Sequence, residues 1–222
     1  GADAMGFKGL NLTIPLKEDA LEFVQPDKLA AAIGAINTIS FGPKICGYNT
    51  DGIGALMALQ ENNAEVGGRC VLLIGAGGAA RAIGYSLAQQ GAEISIVNRN
   101  SRRAEALAAL IGARGYGIKD LESLVARSEI IINATSLGMK AGDPRLFDGR
   151  LLRSGQIIFD IIYNRKTELL MDAILADAIA IDGVKMLVYQ GAEAFEIWLG
   201  LKAPVKIMER AVRDALSSGA GE

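Results

Sequence analysis

From Arg69 onward the chain alternates two kinds of segment. Short runs that are apolar at nearly every position, CVLLIG, EISIVN, IIINAT and QIIFDII, are separated by stretches whose apolar positions recur every three or four residues. An unbroken apolar run predicts a strand buried on both faces, and such strands alternating with amphipathic helices predict a parallel sheet covered on each side. AARAIGYSLAQQG, SRRAEALAALIG and DLESLVARS are the helices this pattern predicts, the first two ending at Gly91 and Gly112. Ser101 and Asp120 stand where N-caps are expected.

The flanks follow a different pattern. FKGLNLTI (7–14) predicts a strand closed by Pro15, and PDKLAAAIGA (26–35) a short helix with Asp27 in its first turn. INTISF and KICGYN around GP predict a hairpin. NTDGIGALMALQEN (49–62) has helical spacing at Ile53, Leu56, Met57 and Leu59, with Asn49 or Thr50 as cap. TELLMDAILADA, MLVYQGAEAFEIWLG and PVKIMERAVRDALS predict closing helices, and the tail SSGAGE is expected to fray. The fold class expected is α/β: a Rossmann-like parallel-sheet domain over residues 50–186, and a smaller α/β domain from residues 1–49 and 187–222. A cleft between two such domains is a preferred place for ligands.

Composition narrows the chemistry. A net charge of -2 over 222 residues gives no reason to expect nucleic acid or an anionic membrane as partner. The most apolar stretch, VLLIGAGGAARAIGYSLA, holds Arg81 and several glycines and is not a membrane span. Cys46 and Cys70 are too few and too far apart for a disulfide framework or a metal site, so no metal and a reduced, cytoplasmic setting are expected. The chain has no histidine, so acid–base chemistry falls to Lys, Asp, Glu, Tyr or Cys. It begins at Gly1 without an initiator methionine, and residues ahead of Gly1 are expected in the native protein.

VLLIGAGGAARA places Gly75, Ala76, Gly77, Gly78 and Ala79 between a buried strand and a helix. Glycines there permit a tight turn and a close approach of backbone to a pyrophosphate, which the helix N-terminus then holds. The spacing is G-x-G-G, and the strand before and helix after supply the context a dinucleotide site requires. The next strand ends in NRNSRR. An acidic residue that would bond the ribose hydroxyls of NAD is absent, while Asn98, Arg99, Arg102 and Arg103 are present. Guanidinium groups suit a 2′-phosphate, so NADP is the cofactor expected.

Lys17 follows the first strand, and Asp51 lies at the crossover into the cofactor domain. Without histidine, a Lys–Asp pair is the most natural proton relay available. Taken singly, each residue has a plainer reading, as a solvated lysine and as a helix-capping aspartate.

LNLTIPLKE, IGAINTI, GYNTDGIG, IGAGGAARA, NRN, INATSLGM, DIIYN and MLVYQGAEAF occur in this order along nearly the whole chain. Together they closely resemble the shikimate dehydrogenase family. The resemblance implies reversible, NADPH-dependent reduction of 3-dehydroshikimate to shikimate on the route to aromatic amino acids, with Lys17 and Asp51 as the catalytic pair. It implies that Asn11, Thr13, Asn37 and Gln190 hold the substrate, and that Tyr163 lines substrate and nicotinamide. Asn98, Arg99 and Arg103 match adenosine-phosphate contacts, and Thr135 and Met186 lie on the cofactor's path. The family's opening strand-and-helix stretch, which carries two hydroxyl residues for the substrate carboxylate, has no counterpart here. A quinate/shikimate dehydrogenase with looser cofactor choice and a non-catalytic NADP-binding homologue are the alternatives. A monomer or homodimer is expected.

Overall fold

The computed structural model describes residues 1–219; the last three residues of the predicted fraying tail lie outside them. In chain order the elements are β1 (Gly9–Asn11), β2 (Gln25–Pro26), α1 (Lys28–Ile33), β3 (Thr38–Ser40), β4 (Cys46–Tyr48), α2 (Asp51–Glu61), β5 (Cys70–Ile74) and α3 (Gly78–Gln89). Then follow β6 (Glu93–Asn98), α4 (Ser101–Ile111), β7 (Arg114–Gly117), α5 (Leu121–Arg127), β8 (Ile130–Asn133), β9 (Ile157–Asp160), α6 (Glu168–Leu175), β10 (Ile179–Ile181), α7 (Val184–Leu199) and α8 (Val205–Ser217).

Two sheets result. The larger, in the order β10-β9-β8-β5-β6-β7, is parallel at every pairing. Because successive side chains on a strand point to opposite faces, each apolar run feeds two cores. Val71, Leu73, Ile94, Ile96, Ile130, Ile132 and Phe159 pack with Leu59 of α2, Ile83 and Leu87 of α3 and Leu107 of α4. Leu72, Ile74, Val97, Ile131 and Ile158 pack with Leu124 of α5 and Leu169 of α6. Each fully buried Leu, Ile or Phe contributes roughly 1.5–3 kcal/mol. Strand order runs outward in both directions from β5 and β8, so the sheet reverses between them. The carboxyl ends of strands at such a reversal are where α/β sheets bind ligands.

The smaller sheet has the order β1-β3-β4-β2, with β3 and β4 as the predicted antiparallel hairpin. Its first strand is shorter than the predicted 7–14, because β1 has only β3 as a neighbour and Leu16 N turns back onto Thr13 O at 2.9 Å. The closing helices return to this sheet. Trp198 of α7 donates its indole N–H to Ile39 O of β3 at 2.9 Å.

Helix α2 joins the two sheets, and its glycines explain how. A Cβ at Gly52 would meet Ala82 O of α3 at 2.7 Å, and one at Gly54 would meet Gln190 N and Met186 O of α7 at 2.9 Å. Caps differ from expectation at α4, where the side chain of Asn100, not Ser101, accepts from Arg102 N. Asp120 makes no side-chain cap bond; its carbonyl accepts instead from Ser123 Oγ at 2.8 Å. Among the described residues no helix is long and apolar enough to cross a membrane.

Candidate active site

Between Pro15 and α1 the chain carries Lys17 on an irregular segment of the smaller sheet's lobe. Its peptide is pinned by Ile36 N, which donates to Lys17 O at 2.8 Å. Its side chain crosses toward α2, and Nζ donates to Asp51 Oδ2 at 2.5 Å. Asp51 is the first residue of α2 and is 4% exposed. A carboxylate there gains from the positive end of the helix and, being buried, needs a partner for its charge. Asn37 supplies a second donor, with Nδ2 at 2.8 Å from Asp51 Oδ1. One N–H of the ammonium is thus committed to Asp51, leaving two for another acceptor.

Asn37 organises the rest. Its Oδ1 accepts from Thr50 N at 2.9 Å and Thr38 Oγ1 at 3.0 Å, while Nδ2 also lies 3.2 Å from Gln190 Oε1. Asn11 donates to Thr38 Oγ1 at 3.1 Å and to Asn37 O at 3.2 Å. The geometry therefore joins Asn11, Lys17, Asn37, Asp51 and Gln190 into one hydrogen-bonded cluster drawn from β1, β3, α2 and α7 and the segments beside them. Thr38 and Thr50 belong to it as well. The sequence offered no separate signal for Thr38 beyond its place beside Asn37, and marked Thr50 only as a candidate cap of α2. Thr13 is exposed on the segment leading to Lys17.

The glycine-rich turn lies against this cluster. A Cβ at Gly78 would come within 3.3 Å of Lys17 Cβ and Cδ, so the lysine stem rests on the start of α3. Gly75 has φ +119°, and a Cβ there would stand 2.8 Å from Ala134 O. Gly77 is different: its φ of -91° suits any residue, and nothing lies within 4 Å of where a Cβ would be. That open space beside Gly77, in front of the free N–H groups of a 12-residue helix, fits a pyrophosphate. Ala76 is buried and Ala79 half-buried along the same turn.

At the end of β6, Asn98 donates to Asn100 O at 3.1 Å. Arg99 is exposed, with no ion pair among the described residues. Arg103, in the first turn of α4, reaches Ala76 O at 3.4 Å. This brings a guanidinium beside the glycine turn.

The carboxyl ends of β8 and β9 form a third part. Fully buried Asp160 accepts from Thr167 Oγ1 at 2.6 Å, Asn133 Nδ2 at 2.9 Å and Ile162 N at 3.2 Å. Burial pushes its pKa above the ordinary value, opposed by these hydrogen bonds. Asn133 Oδ1 in turn accepts from Thr135 Oγ1 at 2.7 Å. Thr135 is fixed there, at the lip of β8. Tyr163 is exposed on the loop after β9, lining an open depression of about 500 Å³ with Arg165 and Arg213. Its side chain is not part of the Lys17–Asp51 cluster. Met186 is packed in the core with 6% of its surface exposed.

Comparison with known proteins places this arrangement. Residues 57–168 match the model of the family described as Shikimate / quinate 5-dehydrogenase. Residues 1–39 match the shikimate dehydrogenase substrate binding domain, and 183–213 the shikimate 5'-dehydrogenase C-terminal domain. Shikimate dehydrogenase (NADP(+)) of Methanothrix thermoacetophila is 60% identical over 216 residues, 97% of this chain and 80% of that protein. The chain belongs to the shikimate dehydrogenase family. Among solved family members, a shikimate dehydrogenase in complex with NADP+ superimposes with a TM-score of 0.89 at 40% identity, covering 97% of this chain and 79% of the other. The Thermus thermophilus enzyme in complex with NADP(H) and shikimate gives a TM-score of 0.85 at 34% identity, covering 94% and 79%.

Proposed function

We propose that this chain catalyses the NADP-dependent, reversible interconversion of shikimate and 3-dehydroshikimate. The observation that carries the reading is the Lys17–Asp51 pair, held at 2.5 Å and resting on the glycine-rich turn. In the reducing direction, NADPH held at the glycine-rich turn would supply a hydride for the carbonyl carbon of the substrate. The carbonyl oxygen then gains negative charge, and the Lys17 ammonium beside it stabilises that charge and donates the proton. Asp51 holds the ammonium in place and, after transfer, helps the lysine regain a proton from solvent. In the oxidising direction the same pair removes the proton from the hydroxyl group.

Asn37, Asn11 and Gln190 are the groups we assign to the substrate hydroxyls. Each already shares its amide with a neighbour in the cluster, so orientation is set before the substrate arrives. Thr13 and Tyr163 complete the assignment from the exposed side. The cofactor pyrophosphate falls to Gly75, Ala76, Gly77, Gly78 and Ala79, the adenosine phosphate to Asn98, Arg99 and Arg103, and the nicotinamide side to Thr135 and Met186. We treat the two sheets as a substrate domain and a cofactor domain. A cytoplasmic enzyme, monomeric or homodimeric, completes the reading, and light scattering after size exclusion decides between the two states. The test of function is the absorbance of NADPH with shikimate or quinate and NADP or NAD. Turnover with shikimate and NADP far above the other three combinations is expected, and equal turnover of quinate would move the chain to the broader activity.

A further inference from the structure

Glu18 directly follows the proposed proton donor, and the reaction as read above gives it no task. Its side chain leaves its own lobe. Oε1 lies 3.6 Å from Arg103 Nη2 and Oε2 lies 3.8 Å from Arg81 Nη2. Among the described residues, Glu18 is the one carboxylate within 4 Å of either guanidinium. Arg103 divides itself between Glu18 and Ala76 O, at the glycine turn. Arg81, in the first turn of α3, has its Nε buried without a hydrogen-bond partner. One acidic side chain of the substrate lobe therefore faces two cations that flank the cofactor turn.

We propose that Glu18 is a specificity-determining residue, a resident anion that competes with the 2′-phosphate of NADP for Arg103. The proposal rests on reading Arg103 as an adenosine-phosphate contact. Both contacts are longer than a hydrogen bond, and the Glu18 side chain is 40% exposed, so the pairing is of the weak, displaceable kind. A phosphate dianion forms shorter, charge-assisted bonds to the same fork and takes the arginine away. NADP then binds at the cost of the Glu18–Arg103 contact, a cost NAD does not meet. Glu18 accordingly weakens NADP binding and narrows the preference for NADP over NAD. It also ties the substrate lobe to α4 when no phosphate is present, next to the residue that must reach the reacting oxygen.

The test is calorimetric titration of NADP and of NAD into the chain and its Glu18→Gln, Arg103→Gln and doubly substituted forms, at low and high salt. Glu18→Gln should tighten NADP roughly two- to fivefold and leave NAD unchanged, with the gain fading as salt rises. Arg103→Gln should weaken NADP by more than about tenfold, and adding Glu18→Gln to it should change NADP binding less than about twofold. Arg103→Gln weakening NADP while Glu18→Gln leaves it unchanged, weakens it, or tightens NAD equally would overturn the competitor role and keep the reading of Arg103. NADP affinity untouched by Arg103→Gln would overturn both. Glu18→Asp, which keeps the charge on a shorter stem, separates charge from loss of fold: it should lie between the native chain and Glu18→Gln, and an effect as large as that of Glu18→Gln would also count against the proposal.

Discussion

Valine in place of Gly77 separates cofactor binding from folding, because the structure treats this glycine unlike its neighbours. Its φ of -91° and ψ of -174° are ordinary for a β-branched residue, and no atom beyond its chain neighbours lies within 4 Å of the added Cβ. Gly77 is the N-cap of α3, a position where valine is less favourable than glycine, so folding stability should fall by no more than about 1–2 kcal/mol and leave the protein folded. The same open space is where the backbone N–H groups of the turn meet the pyrophosphate. Losing two charge-assisted hydrogen bonds, each worth roughly 1.5–3 kcal/mol, weakens NADP by about 3–6 kcal/mol, on the order of 10²–10⁴-fold. Urea denaturation and NADP titration on the same preparation measure the two quantities. Gly75→Ala is the contrasting control, since φ +119° and Ala134 O at 2.8 Å make it a folding defect. A folded Gly77→Val protein that binds NADP normally would refute the placement of the pyrophosphate.

Arg99→Asp should weaken NADP on the order of 10- to 100-fold while sparing NAD, by titration, since one charge-assisted contact is lost and a like charge added; equal retention of NADP would remove Arg99 from the phosphate site. Gly54→Val should cost about 1–3 kcal/mol in urea denaturation, because its Cβ meets the backbone of α7 at 2.9 Å rather than a movable side chain. Asp160 holds its proton to higher pH in the folded protein than in the unfolded chain, so its contribution to stability is complete below the unfolded pKa of about 3.9 and is lost as pH rises through the folded value. Relative to Asp160→Asn, the native chain should lose stability as pH climbs from about 4 through the folded pKa, and the opposite slope in denaturation would show that the carboxylate, not the acid, is the favoured buried form.

What could be read in advance follows from what the residues do locally. β5 and the turn after it were legible because four buried apolar positions run straight into glycines, and that pattern has one structural meaning. β7 was not, because RGYG is chosen for α4: a Cβ at Gly115 would stand 2.5 Å from Glu105 Cα, so packing removed the side chains that signal a strand. β10 is a three-residue edge strand whose pairing with β9 supplies what its sequence does not announce. Asn100 displaced Ser101 as the cap of α4 because a side chain one residue earlier was already placed to accept from Arg102 N. In the site, Lys17 and Asp51 each have a plainer reading singly and were legible only as a pair, from the lack of histidine and the family resemblance; their contact spans 34 residues and depends on how the hairpin turns the chain back. The reach of Glu18 to Arg81 and Arg103 depends on the docking of one lobe on another, which no local pattern encodes.

Lys17→Met most directly tests the proton-transfer assignment. Methionine keeps much of the stem that rests on Gly78 and removes the ammonium; Asp51 loses its ion-pair partner but keeps the hydrogen bond from Asn37, and urea denaturation of the variant checks that it is folded. Steady-state kinetics with shikimate and NADP should show kcat lowered about 10²–10⁴-fold with both KM values little changed. Adding Asp51→Asn should make this scarcely worse, since the pair acts as a unit. Near-normal kcat with only a raised KM for shikimate would make Lys17 a binding residue and contradict the account.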